Sequence, residues 1–270
     1  MANRTALTDL LNSNQSIIMG IINLTLDSFY DGGYSFDHLD KQLSEFNDHG
    51  VDIIDIGAES TRPGAQPISV DQEIEQLKKV LPIIQKSSNA LISVDTYKPV
   101  TAKYALEQGV NIINDINGGE SDALLALVAE YDAGIVLMHK QGTPLTMQDN
   151  PTYSNPIDEI KTFFQQQIQK AKHAGIHHIM IDPGIGFGKT LDHNLTILKK
   201  LNFFHDLNCP ILIGTSNKSF IGELTGANVN ERVPGSIASV ISAYQKGAQI
   251  FRVHNVKETS QALKVYQALL

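Results

Sequence analysis

Polar and ionisable side chains recur in this sequence directly after short apolar runs: Asn23, Thr61 with Arg62, Asp95, Asn114, His139, Asp182, Lys218, and Arg252 with His254. Asp95, Asp182 and Asn114 are two carboxylates and an amide. Together they offer acceptors and donors suited to a flat heterocycle that carries amino and amide groups. Lys218, Arg62, Arg252 and His254 supply the opposite need, cations for an anion, and Arg grips a phosphate-like group bidentately. Any single Asp or Asn at a strand end is more often a turn former or helix cap than a ligand. The whole set at one kind of position points instead to a binding mouth.

That reading needs elements that bring the residues together. Residues 51–57 are apolar, short and β-branched, with a helix-like segment on each side, which predicts a parallel strand covered on both faces. The strand empties into Ala58-Glu-Ser-Thr-Arg-Pro-Gly-Ala. Glu59, Thr61 and Arg62 leave it at the carboxyl end, where parallel α/β folds place ligands, and no packing role is expected for them. The same pattern predicts strands over 16–22, 90–94, 110–113, 134–138, 179–181, 211–213 and 249–253. Helices are predicted over 36–49, 70–85, 99–109, 122–131 and 157–174, and from 257 onward; Gly50 stops the first, and Ile74, Leu77, Val80 and Leu81 form one face of the second. Eight strand-helix units without a composition break predict an α/β fold, one eight-stranded parallel TIM barrel filling 1–270 as a single domain. A doubly wound open sheet is the alternative.

Composition excludes several classes. The 270 residues carry a net charge of −8 and no basic cluster long enough to track a phosphate backbone, so nucleic acid is not an expected partner. Residues 1–15 lack a basic region followed by an apolar stretch, and no apolar run approaches a membrane span, so a cytoplasmic protein without membrane contact is expected. Cys209 is the single cysteine, which leaves no disulfide framework; beside Pro210 it is expected to be a small core residue. Gly184-Ile-Gly-Phe-Gly-Lys-Thr resembles a nucleotide phosphate loop but is one residue short, since Pro183 holds the first glycine's place. His173, His177 and His178 lie ahead of a strand, at its amino end, and are expected to be a solvated cluster rather than a metal site. Ser28, Ser60 and Ser216 lie in loops without a nucleophile-elbow pattern, so covalent catalysis has little support.

Met19-Gly-Ile-Ile-Asn-Leu-Thr-Leu-Asp-Ser-Phe, Asp55-Ile-Gly-Ala-Glu-Ser-Thr-Arg-Pro-Gly and Ser93-Val-Asp-Thr-Tyr-Lys together resemble the dihydropteroate synthase family. Asn114-Asp-Ile, Met138-His-Lys-Gln-Gly-Thr-Pro, Asp182-Pro-Gly-Ile-Gly-Phe-Gly-Lys, Ser216-Asn-Lys-Ser-Phe-Ile-Gly and Arg252-Val-His-Asn-Val-Lys-Glu-Thr continue the likeness in the family's order across nearly the whole chain. The resemblance implies condensation of a 7,8-dihydropterin-6-ylmethyl diphosphate with 4-aminobenzoate, with magnesium (Mg2+), in a homodimeric enzyme of a kind targeted by sulfonamides. It places the family's magnesium and diphosphate asparagine on Asn23 and its pterin contacts on Asp95, Asn114 and Asp182. Its lysine beside the pterin falls on Lys218, and its diphosphate contacts fall on Thr61, Arg62, Arg252 and His254. Phe29, Pro63 and Phe187 would wall the aminobenzoate, with Ser219 near its carboxylate. The chain departs from the family pattern at Leu26 (usually Pro), Ala58 (usually Gly), Asn217 (usually Arg) and Asn255 (usually Asp).

The implied chemistry agrees with the inventory of side chains. Departing diphosphate needs magnesium and fixed cations, whereas a neutral aniline nitrogen needs positioning more than a base. Two other readings share the acidic pocket: a corrinoid-linked pterin methyltransferase, which would not need Thr61, Arg62, Pro63 or the Arg252–His254 pair, and a pterin-binding paralogue without catalysis.

Overall fold

A computed structural model of the chain describes residues 4–13, 15–24, 36–60, 65–143 and 146–270, with Arg4, Phe36 and Asp37 described by their backbone alone. Eight parallel strands run in sequence order: β1 (Ile17–Asn23), β2 (Ile53–Gly57), β3 (Leu91–Asp95), β4 (Ile112–Asp115), β5 (Gly134–Met138), β6 (His178–Asp182), β7 (Leu212–Ile213) and β8 (Ile250–Val253). Strands β1 to β6 pair consecutively, β7 pairs with β8, and β8 pairs with β1. The β6–β7 seam is joined by one bridge, Ile181 to Ile211, with the Ile181 amide donating to the Pro210 carbonyl at 3.0 Å. The sheet thus closes into the expected barrel, and the open-sheet alternative falls.

The helices are α1 (Arg4–Asn12), α2 (Phe36–Asp48), α3 (Val70–Ser87), α4 (Pro99–Glu107), α5 (Asp122–Glu130), α6 (Pro156–His173), α7 (Leu191–Lys199), α8 (Ser219–Thr225), α9 (Val233–Tyr244) and α10 (Val256–Ala268). Local sequence sets their starts. Ser69 and Gln72 form a reciprocal capping box on α3, Pro99 opens α4, and Asn155 caps α6 by accepting from the Ile157 amide. Leu39, Leu43 and Phe46 give α2 an apolar stripe at helical spacing, all three buried. The stripe packs closely on β1: a Cβ on Gly20 would come within 2.6 Å of the Phe46 ring.

Alternation along the strands separates two cores. Ile18, Ile22, Ile54, Ile56, Ile92, Val94, Ile135, Leu137 and Phe251 pack outward among the helices. Ile17, Met19, Ile53, Leu91, Ile112, Val136, Met180, Leu212 and Ile250 fill the lumen, and Leu7 of α1 packs with them. A helix over 4–12 is not expected from the sequence. Its Thr8 hydroxyl meets His178 Nε2 at 2.9 Å, so of the three histidines only His173 and His177 are solvated, and His178 is half-buried at the barrel's amino end. Among the described residues, no group of three or more His, Cys, Asp or Glu is arranged to hold a metal ion. Cys209 is half-buried against the outer core.

Glu59 corrects another expectation, because it does pack. It is buried, its Oε2 receives the Lys98 ammonium at 2.6 Å, and it accepts from the Ile68 amide at 3.0 Å. Lys98 also pairs with buried Glu73 at 3.1 Å, so one cation anchors both ends of the loop after β2 to the start of α3. Lys98→Met should leave two buried carboxylates without a counter-ion, a loss of about 3 kcal/mol. A thermal unfolding midpoint indistinguishable from wild type would show that the anchor is dispensable.

Candidate active site

The lumen changes character on moving up each strand by two residues. Ile53 gives way to Asp55 and Gly57, Leu91 to Ser93 and Asp95, Ile112 to Asn114, Val136 to Met138, Met180 to Asp182 and Ile250 to Arg252. Met19 leads in the same parity to Asn23. Period two therefore turns Asn23, Asp95, Asn114, Asp182 and Arg252 inward, over the apolar plug.

Asp55 organises the floor of the mouth. It is fully buried, and its Oδ2 accepts from Arg252 Nε at 2.6 Å and from Asn114 Nδ2 at 3.2 Å. Arg252 Nη2 donates in turn to Asp95 Oδ2 at 3.0 Å. The second oxygens of Asp55 and Asp95 are buried without a hydrogen-bond partner. Burial pushes the Asp95 carboxyl up to about 7, with Arg252 opposing the rise and Asp55 adding to it. Asp182, on the far side, is raised by burial against the pull of the Gly184 amide, which donates to its Oδ1 at 2.8 Å, and of Lys218, Arg252 and Lys189. Lys218 Nζ lies 4.0 Å from the Phe187 ring centroid.

These residues enclose one pocket. Asp95, Asn114, Asp182, Lys218 and Arg252 line it together with Ile116, Met138, Ile185, Phe187 and Gly214. Carboxylates and an amide stand at its edge, a sulfur and aliphatic carbons lie beside them, and an aromatic ring carries a cation above. The arrangement suits a flat, donor-edged ring.

The other expected residues fall as follows. Asn23 ends β1 half-buried, and its Oδ1 would lie 3.6 Å from a Cβ on Gly57, so that glycine keeps the space between Asn23 and Asp95 open. His254 Nδ1 sits 3.1 Å from Ser216 Oγ, just beyond β8. Ser219 is exposed and opens α8, whose preceding Lys218 makes no side-chain cap. Phe29, Thr61, Arg62 and Pro63, and the departure at Leu26, lie outside the described residues. His139 does not face a ligand as a cation: it is buried, and desolvation followed by the Lys189 charge takes its pKa down to about 3. Asp115 likewise serves its loop, accepting from the amides of Asn117 and Gly119, and burial raises it to about 6. Asn217 adopts a left-handed φ of 59°, which asparagine tolerates better than most residues.

Asp55, Met138 and Lys189 sit within recognisable motifs, yet the sequence alone assigns them no role. For Asp55 and Met138 the missing signal is parity: each stands two residues beyond a lumen residue of its strand.

The chain matches a family model described as "Pterin binding enzyme" over residues 19–254. It is 42% identical over 257 residues to the dihydropteroate synthase of Escherichia coli (strain K12), covering 94% of this chain and 91% of that protein. The crystal structure of Yersinia pestis dihydropteroate synthase in a sulfonamide drug complex superposes with a TM-score of 0.89 at 37% identity, covering 94% of each chain. The Thermus thermophilus enzyme in complex with 4-aminobenzoate gives 0.87 at 36% identity, covering 95% of each.

Proposed function

The chain belongs to the pterin-binding enzyme family, among the dihydropteroate synthases, and from that premise we propose how its site works. It condenses (7,8-dihydropterin-6-yl)methyl diphosphate with 4-aminobenzoate to give 7,8-dihydropteroate and diphosphate in folate biosynthesis, and it is a target of sulfonamides. The observation that carries the mechanism is the network in which Arg252 donates to Asp95 and to buried Asp55, and Asn114 also donates to Asp55, beside Asp182 in the same pocket.

The pterin's amino and ring N–H donors would meet Asp95 and Asp182, and Asn114 would complete the edge. Phe187 and Met138 flank the ring plane, and Lys218 stands by the ring as a cation. His254, with Thr61 and Arg62 from the loop after β2, would take the diphosphate. Arg252 is shared: its guanidinium already holds Asp55 and Asp95, so it links the pterin edge to the anion. Magnesium fits the donor chemistry, since the Asn23 carboxamide oxygen is a hard ligand beside the space Gly57 leaves open; an ion held there would take water and substrate phosphate oxygens as further ligands. When bound, the ion would offset charge on the departing diphosphate. The pterin-methyl carbon then bears positive charge, which Asp95 and Asp182 stabilise, and the neutral aniline nitrogen of aminobenzoate adds to it while shedding a proton to solvent. The substitution is dissociative.

Aminobenzoate would lie with its carboxylate near Ser219 and its amine toward the pterin, walled by Phe187, Phe29 and Pro63. The exposed start of a short helix contributes about 0.3–1 kcal/mol, so this half-site is weak until the diphosphate is in place. Binding is therefore ordered. Calorimetry should detect aminobenzoate or a sulfonamide only when diphosphate or the pterin diphosphate is present, and tight binding to the empty enzyme would contradict the order. The same reading makes the protein a single-domain, cytoplasmic homodimer; a sedimenting species of monomer mass at all concentrations would remove the dimer.

A further inference from the structure

We propose that Lys189 is a positioning residue for pterin recognition: its side-chain nitrogen ties the loop after β5 to the loop after β6 and so fixes the Phe187 wall and the Asp182 carboxylate. This rests on the pterin reading above and assigns a role to the one basic residue of the glycine-rich stretch that resembles a phosphate loop. Lys189 is only 3% exposed, so its amine cannot serve an anion in solvent. Instead Nζ lies 2.9 Å from the Phe187 carbonyl, 3.2 Å from the His139 carbonyl and 3.1 Å from His139 Nδ1. With Lys189 protonated, Nζ only donates, so in that state His139 Nδ1 is the acceptor and the neutral ring carries its proton on Nε2.

The backbone is shaped to let this happen. Gly184 has φ +69°, and a Cβ there would collide with the His139 carbonyl, so the two loops approach only because the residue is glycine. Two further contacts span the same loops, Gln148 Nε2 to the Gly186 carbonyl at 2.8 Å and the Tyr153 hydroxyl to the Gly188 carbonyl at 2.9 Å. Both are at the periphery, whereas Lys189 is the buried tie. Holding the Phe187 carbonyl fixes the ring that stacks under Lys218. The groups facing Lys189 are Asp182 at the end of β6, Lys218 after β7 and neutral His139 after β5. Burial lowers the Lys189 pKa to about 7 while Asp182 holds it up, and Lys189 reciprocally favours the ionised form of Asp182.

Lys189→Met keeps the aliphatic length and removes the donor and the charge. In the full-length enzyme, the KM for pterin diphosphate should rise about tenfold with a smaller change in kcat, because two buried carbonyls lose their donor. The acid limb of the kcat/KM profile should also move to higher pH, because Asp182 loses a neighbouring cation. Wild-type kinetics and pH profile in the variant would overturn the assignment, as would a fall in kcat with an unmoved profile, which marks a merely structural role. If the variant does not fold, wild-type enzyme labelled with 13C at lysine Cε decides. A lysine signal that titrates near neutral pH and moves on adding a dihydropterin supports the assignment; the absence of any near-neutral lysine signal that responds to the dihydropterin, whatever the signal of Lys218 does, overturns it. Absence of diphosphate release by the wild type would sink the pterin reading itself, a result distinct from any behaviour of the variant.

Discussion

Asp95→Asn and Asp182→Asn should each weaken pterin affinity about tenfold to a hundredfold, because an amide presents a donor where the heterocycle also donates, at a cost of about 1–3 kcal/mol. Both side chains are buried in the pocket wall, so water cannot replace the lost acceptor. The pH dependence gives a second signature. Asp95 stands at about 7 in the free enzyme, and the ligand selects the carboxylate. Affinity should therefore be full above that pH and fall by up to about tenfold per unit below it, a slope that Asp95→Asn removes. Unchanged calorimetric affinity in both variants would refute the pocket assignment.

Arg252→Ala should lower turnover by about a hundredfold or more, the loss typical of removing a fixed donor from charge that grows in the transition state. The structure adds that Arg252 is held by Asp55 and Asp95 at 2.6 and 3.0 Å. Its removal strands a buried carboxylate, so affinity for a pterin lacking diphosphate should fall as well. His254→Ala tests the anion role separately, since the His254 ring and amide both meet Ser216 Oγ, at 3.1 and 3.2 Å. It should reduce turnover while leaving bare-pterin affinity near wild type. Equal losses for both ligands in His254→Ala would make His254 structural.

The barrel was legible because the strands are short apolar runs with a polar residue at or shortly after the carboxyl end, a pattern that survives small errors at the boundaries. The helices α7 and α9 and the capping helix α1 were not set out from the sequence; α1 matters because it packs buried Leu7, with Ala6, Leu10 and Leu11 around it, against the lumen core. Among the described site residues, Asp95, Asn114 and Asp182 were legible as strand-end polar groups, and the structure brings them into one pocket with Phe187, Lys218 and Arg252. Asp55 was not, because a strand buried on both faces has no apolar-polar alternation from which to read its inward side. Glu59 misled in the opposite direction: a carboxylate just past a strand resembles a ligand, yet its partner Lys98 comes from 39 residues away and only the fold unites them. Lys189 shows the same limit, since a lysine in a glycine-rich stretch invites an anion reading until its burial among carbonyls is seen.

The central claim is that this pocket joins a pterin-methyl diphosphate to an aromatic amine, and release of diphosphate measured with both substrates and magnesium tests it most directly. The account predicts one diphosphate for each 7,8-dihydropteroate formed, dependent on 4-aminobenzoate and suppressed by a sulfonamide. Pterin binding without any diphosphate release would contradict it and leave a binding protein in the same fold.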